Sequence, residues 1–239
     1  DKRAVSLIRR SLRDAKGLII ICGPTGSGKT TTLYAALREI DKESVSIATL
    51  EDPVEYKIDG LSQSQIGKKG GIAFHEGLRA LLRQDPDVLV IGEIRDNETA
   101  AIAVRAALTG HLVFSTIHAN EAAAVSERLV DMGVPAYLVG DALVCTAAQR
   151  LVRKQCSVCG VTGCLACNFS GYDGRCCLAE VIYFTNRTKE AVRRDASTGA
   201  VRKGAQEKIF FKETAMAMVR DGLTDEREIM RVCGEDYEY

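Results

Sequence analysis

The octapeptide Gly23-Pro-Thr-Gly-Ser-Gly-Lys-Thr30 restricts what this chain can fold into more than any other stretch. It follows the apolar run Gly17-Leu-Ile-Ile-Ile-Cys22 and precedes the helix-forming Thr31-Thr-Leu-Tyr-Ala-Ala-Leu37. The spacing G-x-x-x-x-G-K-[ST], set between a buried strand and a helix start, is that of a phosphate cradle. Glycines at 23, 26 and 28 let the backbone turn through conformations closed to side chains with a Cβ, so that successive N–H groups face a polyphosphate. The helix that begins near Thr30 adds its positive end. Lys29 is expected to reach the outer phosphates as a point charge, and the Thr30 hydroxyl to ligate the Mg²⁺ that bridges them. Gly23, Pro24, Thr25, Gly26, Ser27, Gly28, Lys29 and Thr30 are together the candidate nucleotide-binding residues.

The following segments predict an α/β protein with a mostly parallel sheet flanked by helices. Val45-Ser-Ile-Ala-Thr-Leu50 reads as a second buried strand, and the four consecutive apolar residues in Asp85-Pro-Asp-Val-Leu-Val-Ile-Gly-Glu93 indicate a strand buried on both faces. Carboxylates just past such strands lie where the ligand crevice of an α/β sheet forms. Pro53 is expected to stop the first strand and leave Glu51, Asp52 and Glu55 on a loop near the phosphates. Glu93 falls where P-loop enzymes place an Mg²⁺-associated carboxylate, more often Asp. The stretch 56–66 reads as a small β excursion around the turn at Gly60, and 74–84 as an amphipathic helix. A helix over 97–109 ends at Gly110, and His111–His118 is the next strand. A strand histidine is most often a satisfied core residue. His118, however, ends a strand expected beside the cradle strand, within reach of the outermost phosphate, whereas His111 at the other end is expected to be structural. Helices are expected over 121–132 and 135–148, a strand over 175–183, and four short helices near 187–195, 200–206, 211–221 and 224–233, the last capped by Thr224.

Composition enters through charge and cysteine. The 32 basic and 32 acidic residues cancel, which leaves no overall electrostatic case for nucleic acid. No apolar run approaches the length needed to cross a bilayer and no signal peptide opens the chain, so a cytoplasmic location is expected. Four of the nine cysteines, Cys156, Cys159, Cys164 and Cys167, form paired C-x-x-C units within twelve residues. Each pair can chelate through one tight turn, and four thiolates with no open position suit a structural Zn²⁺. A redox dithiol and an iron–sulfur cluster are the alternatives for these sulfurs.

In this order the motifs resemble those of the ATPases that drive type II secretion and type IV pilus assembly. The resemblance rests on the cradle at Gly23–Thr30, Leu50-Glu-Asp-Pro-Val-Glu55, Asp85–Glu93 as an atypical Walker B, and Thr109–His118, and it extends to Ala148–Arg153, the tetracysteine unit and Ser170-Gly-Tyr-Asp-Gly-Arg175. It implies a P-loop NTPase fold of the RecA-like kind, with ATP and Mg²⁺. Glu55 would polarise the attacking water, Glu93 would hold Mg²⁺ through water, and His118 would contact the γ-phosphate. It also implies a homo-hexameric ring, peripheral to the inner membrane on its cytoplasmic face, that acts on secretion or pilus platform proteins. The expected organisation is a P-loop core over 1–150, a tetracysteine subdomain over 151–183 and a small helical part over 184–239. The chain opens on Asp1 inside a helical pattern, the look of a piece of a longer protein. The resemblance implies a preceding domain that contributes arginines, without which hydrolysis and ring assembly are expected to be weak. Two rivals stand beside this reading: a P-loop motor that tracks along nucleic acid, and a nucleotide-gated scaffold that does not turn over. A further departure is the short spacing between the two cysteine pairs.

Overall fold

The computed structural model describes residues 1–66 and 73–234. Helix α1 (Lys2–Ser11) starts on Asp1, whose carboxylate accepts from the backbone amides of Arg3 and Ala4 at 2.6 and 3.3 Å, satisfying donors that a helix start leaves open. Strand β1 (Gly17–Cys22) is buried at every residue. Its side chains alternate between two cores: Ile19 and Ile21 on one face, and Leu18, Ile20 and Cys22 on the other. Gly28, at φ +89°, ends the cradle and starts α2 (Lys29–Arg38).

Next come β2 (Ile47–Glu51), β3 (Ser62–Gln65), α3 (Phe74–Leu82) and β4 (Val88–Ile91). Helix α4 (Asn97–Leu108) is capped by the Asp96 carboxylate, 2.8 Å from the Thr99 amide. Strand β5 (Leu112–Ile117) is again wholly buried. After α5 (Ala124–Asp131) and α6 (Ala136–Ala142) the chain enters a long β6 (Leu143–Gln155), which is followed by β7 (Tyr172–Tyr183). Helices α7 (Asn186–Arg194) and α8 (Thr198–Gly204), strand β8 (Glu207–Ile209), and helices α9 (Phe211–Arg220) and α10 (Glu226–Cys233) complete the described chain.

Among the described residues the strands form one sheet in the order β3-β2-β4-β5-β1-β6-β7-β8. From β3 to β6 every pairing is parallel, and β7 and β8 add antiparallel pairs at the far edge. Helices α1 and α2 cover one face; α3 to α6 pack on the other. The chain leaves β1 toward β2 by way of α2 and leaves β5 toward β6 by way of the opposite face. The carboxyl ends of β1 and β5 therefore flank a crevice.

Two expectations need correction. The predicted helix over 135–148 stops at Ala142: Leu143-Val-Cys-Thr opens β6, because pairing with β1 and β7 satisfies both backbone edges and buries these side chains in both cores. The small β excursion expected at 56–66 is β3, which lies parallel to β2. Asp225, not Thr224, caps α10 by accepting from the Glu228 amide at 3.1 Å, while the Thr224 hydroxyl donates to the Arg153 carbonyl at 2.8 Å. Strand β6 runs through 150/151 without a break. No helix among the described residues is long and apolar enough to cross a membrane.

Helix α10 is held to β6 by Glu228, whose carboxylate is fully buried between Arg153 and Arg231 at 2.7 and 2.5 Å. Burial pushes this carboxyl upward, but hydrogen bonds from Arg231 and from the side chain and amide of Arg153 outweigh it and hold it down at about 2. A carboxylate lowered on folding stabilises the protein above its unfolded value, and the contribution is lost as pH falls through the folded one. Denaturant unfolding is expected to show Glu228→Gln weaker by about 1–3 kcal/mol at neutral pH. Wild type and variant should converge as pH drops from about 4.5 toward 2.

Candidate functional site

Parallel register brings the ends of the central strands level. Cys22 of β1 pairs with Ile117 of β5 and with Ala148 of β6, so Gly23 and His118 leave the sheet side by side, next to Gln149, where β6 runs on. The cradle is then shaped by close approach. A Cβ on Gly23 would sit 2.5 Å from the Gln149 carbonyl oxygen and 2.6 Å from Ser27 Oγ. The Ser27 hydroxyl is buried at 3% exposure without a protein partner, a polar group aimed into a loop built for polar ligands.

Around this turn opens a cleft of about 930 Å³, lined by Thr25, Gly26, Gly28, Lys29 and Thr30 and by Glu55, Glu93 and His118. All three predicted catalytic side chains thus face one space with the cradle. Gly23 and Pro24 contribute carbonyl oxygens, which accept from Lys29 Nζ at 2.9 and 3.0 Å. Burial lowers the affinity of that ammonium for its proton, and the Glu93 carboxylate acts the other way.

Glu93 follows β4 at the point where Gly92 passes the neighbouring strand, its amide 2.9 Å from the Leu50 carbonyl. The Glu93 carboxylate lies 2.8 Å from His118 Nε2 and accepts from Arg95 Nε at 2.5 Å; Arg95 also reaches Asp52 at 3.5 Å. Glu55 is exposed on the loop after β2. His111 caps α4 from outside the cleft, with Nδ1 3.0 Å from the Ala106 carbonyl.

Glu51 departs from its expected place. It is the last residue of β2, 4% exposed, and its carboxylate is engaged by the hydroxyls of Tyr34 and Thr49 and by Gln63 Nε2. Hydrogen-bonding partners on α2 and β3 hold it inside the sheet edge rather than on the loop. Reading the sequence also missed Tyr34, Arg95, Leu151 and Arg175, which line the cleft. Arg95 had a local signal, standing two residues past Glu93. Leu151 and Arg175 arrive on β6 and β7 from far along the chain; both fall in stretches that carry the resemblance, Ala148–Arg153 and Ser170–Arg175, but nothing local to them points to the cleft.

The cysteines occupy the loop between β6 and β7. Sγ–Sγ separations are 3.9 Å for Cys156–Cys164, 3.7 Å for Cys159–Cys167 and 3.9 Å for Cys164–Cys167, and all four sulfurs lie within 4.8 Å of one another. Sulfurs about 2.3 Å from a central zinc define a tetrahedron with edges of about 3.8 Å, so the donor set fits. The amides of Cys164 and Gly171, each 3.3 Å from Cys167 Sγ, favour its thiolate, and that thiol is held down to about 6.

A glycine cradle at the carboxyl edge of a mostly parallel sheet, with carboxylates on adjoining strands, defines a P-loop nucleotide-binding core. The family model described as "Type II/IV secretion system protein" matches residues 1–231, and the chain belongs to that family. It is 43% identical over 231 residues to "Type II secretion system protein HxcR" of Pseudomonas aeruginosa, covering 92% of this chain and 49% of that protein. It is 40% identical over 253 residues to "Type II secretion system ATPase E" of Vibrio cholerae, covering 95% of this chain and 50% of that protein. The chain thus spans about half the length of these relatives. Among solved structures, the pilus retraction motor PilT with bound ADP superposes with a TM-score of 0.78 at 30% identity, over 94% of this chain and 63% of that one. The Legionella pneumophila ATPase DotB does so with a TM-score of 0.78 at 27% identity, over 93% of this chain and 61% of that one.

Two cradle substitutions should separate close approach from backbone strain. Gly26→Ala, at φ +77° with nothing within 4 Å of an added Cβ, is expected to cost about 1–2 kcal/mol of stability. Gly23→Ala must also displace the Gln149 carbonyl and is expected to cost more in the same urea titration.

Proposed function

We propose that this chain is the ATP-hydrolysing part of a motor that powers type II secretion or type IV pilus assembly. What carries the reading is the convergence of Lys29, Thr30, Glu55, Glu93 and His118 on one cleft around the cradle. Family membership and the relatives named for type II secretion support the process.

In this account the amides of the cradle hold the polyphosphate. Lys29 turns its ammonium from the carbonyls of Gly23 and Pro24 to the outer phosphates. The Thr30 hydroxyl and, through water, Glu93 would hold Mg²⁺, which when bound offsets the phosphate charge. Glu55 orients a water and accepts its proton as the water oxygen bonds to the γ-phosphorus; the bond to the bridging oxygen breaks and ADP leaves with the electron pair. His118 donates to the γ-phosphate, exchanging its contact with Glu93. As a homo-hexamer on the cytoplasmic face of the inner membrane, the protein would pass this work to a membrane platform. A preceding domain, as in the longer relatives, would add arginines to the site, and turnover without it is expected to be slow.

Single-turnover assays with protein in excess test the chemistry. Glu55→Gln should keep ATP binding and lose roughly 100-fold or more in hydrolysis, while Lys29→Ala should weaken binding itself by about 10–100-fold. A Glu55→Gln variant that turns over like wild type would remove the assigned role.

The tetracysteine loop we assign to a structural Zn²⁺ that braces the β6–β7 tip, with binding worth on the order of 10 kcal/mol of local folding free energy. Metal analysis of purified protein should give one zinc per chain, and Cys156→Ser or Cys167→Ser should abolish it. Substoichiometric zinc in the wild-type chain would overturn the assignment.

A further inference from the structure

Beside the cradle lies a polar network that the hydrolytic scheme does not use. Tyr34 stands one turn beyond Thr30 on α2, so both side chains lie on the same side of the helix, and both line the cleft. Its ring is completely buried, yet its hydroxyl donates to the Glu51 carboxylate. Burial and that carboxylate push the phenol up from its usual value, so the hydroxyl stays a donor at any physiological pH, and the Glu55 amide faces the same oxygen.

From Glu51 the network passes into the loop that carries Glu55. Gln63 Nε2 donates to Glu51 at 3.3 Å and to the Tyr56 carbonyl at 3.3 Å, and its Oε1 accepts from the Ile58 amide at 2.7 Å. The Tyr56 ring stands edge-on to that of Tyr34, centroids 4.6 Å apart at 84°. A buried carboxylate is costly unless its donors are in place, and here those donors come from the cradle helix on one side and the edge strand β3 on the other. Ring contact and hydroxyl together tie the position of the Glu55 backbone to the first turns of α2.

We propose that Tyr34 is a positioning residue for hydrolysis, its hydroxyl holding the Glu55 loop in register with the phosphate-binding turn of α2 through Glu51. This rests on the role given to Glu55 above. It makes Tyr34 neither a ligand of the nucleotide nor a proton carrier. A displacement of about 1 Å in a catalytic group is enough to cost on the order of 100-fold in rate, so loss of the hydroxyl should act on the chemical step and leave binding alone.

The test is a double-mutant cycle on the full chain with Tyr34→Phe, which keeps the buried ring, and Glu55→Gln. Fluorescent N-methylanthraniloyl-ATP reports binding, single-turnover hydrolysis reports the step, and amide hydrogen exchange over 54–58 reports the loop. Tyr34→Phe should slow hydrolysis at least 10-fold with nucleotide affinity within twofold of wild type, should speed exchange over 54–58, and should add less than twofold in the Glu55→Gln background. Three results would overturn the inference: hydrolysis within twofold of wild type, a full additional loss in the Glu55→Gln background, or unchanged exchange. A wild-type chain that takes up no fluorescent nucleotide would instead bring down the reading of the cleft itself, and this inference with it.

Discussion

The structure depends on the lodging of β1 between β5 and β6. A strand of Leu, Ile and Cys with no exposed residue has to satisfy its backbone along both edges and bury side chains on both faces, which a central position in a parallel sheet provides. Once that register is set, the glycine turn and His118 leave the sheet at one level, beside Gln149 of the continuing β6. The tight turn then presents its amides next to the ends of β4 and β5. Close packing sets the limits of the turn: the Gln149 carbonyl leaves no room for a Cβ at Gly23.

The second constraint is electrostatic. Charged groups of the cleft hold protein partners: Lys29 two carbonyls, Glu93 both His118 and Arg95, and Arg95 also Asp52. Such contacts keep the groups oriented in a site that is partly withdrawn from water, where preorganised charges act most strongly. In the proposed function, triphosphate oxygens would take the place of the carbonyls at Lys29 and of the carboxylate at His118. The same principle recurs at the stem of the cysteine loop, where Glu228 is kept ionised in a buried position by two arginines.

Much of this was legible in the sequence, for identifiable reasons. Runs such as Val88–Ile91 announce themselves as doubly buried strands, and the glycine spacing at 23, 26 and 28 leaves few alternatives to the observed turn, whose φ angles are +145°, +77° and +89°. The α/β class, the order of the motifs and the gathering of Glu55, Glu93 and His118 near the cradle all follow from such local patterns. What escaped depends on partners remote in sequence. Residues 143–148 have the composition of a helix end, and only their pairing with β1 and β7 makes them a strand. Glu51 reads as a loop acid because the residues that bury it, Tyr34 and Gln63, lie 17 positions before it and 12 after it. Arg175 reaches the cleft only because β7 runs back alongside β6.

The central claim is that the folded chain grips a triphosphate at Gly23–Thr30. Its most direct test is isothermal titration calorimetry of the chain with a non-hydrolysable ATP analogue and Mg²⁺, with circular dichroism recorded on the same sample. The account predicts saturable heat with one site per chain. A chain that is folded by circular dichroism and yet gives no saturable heat at millimolar analogue would contradict it.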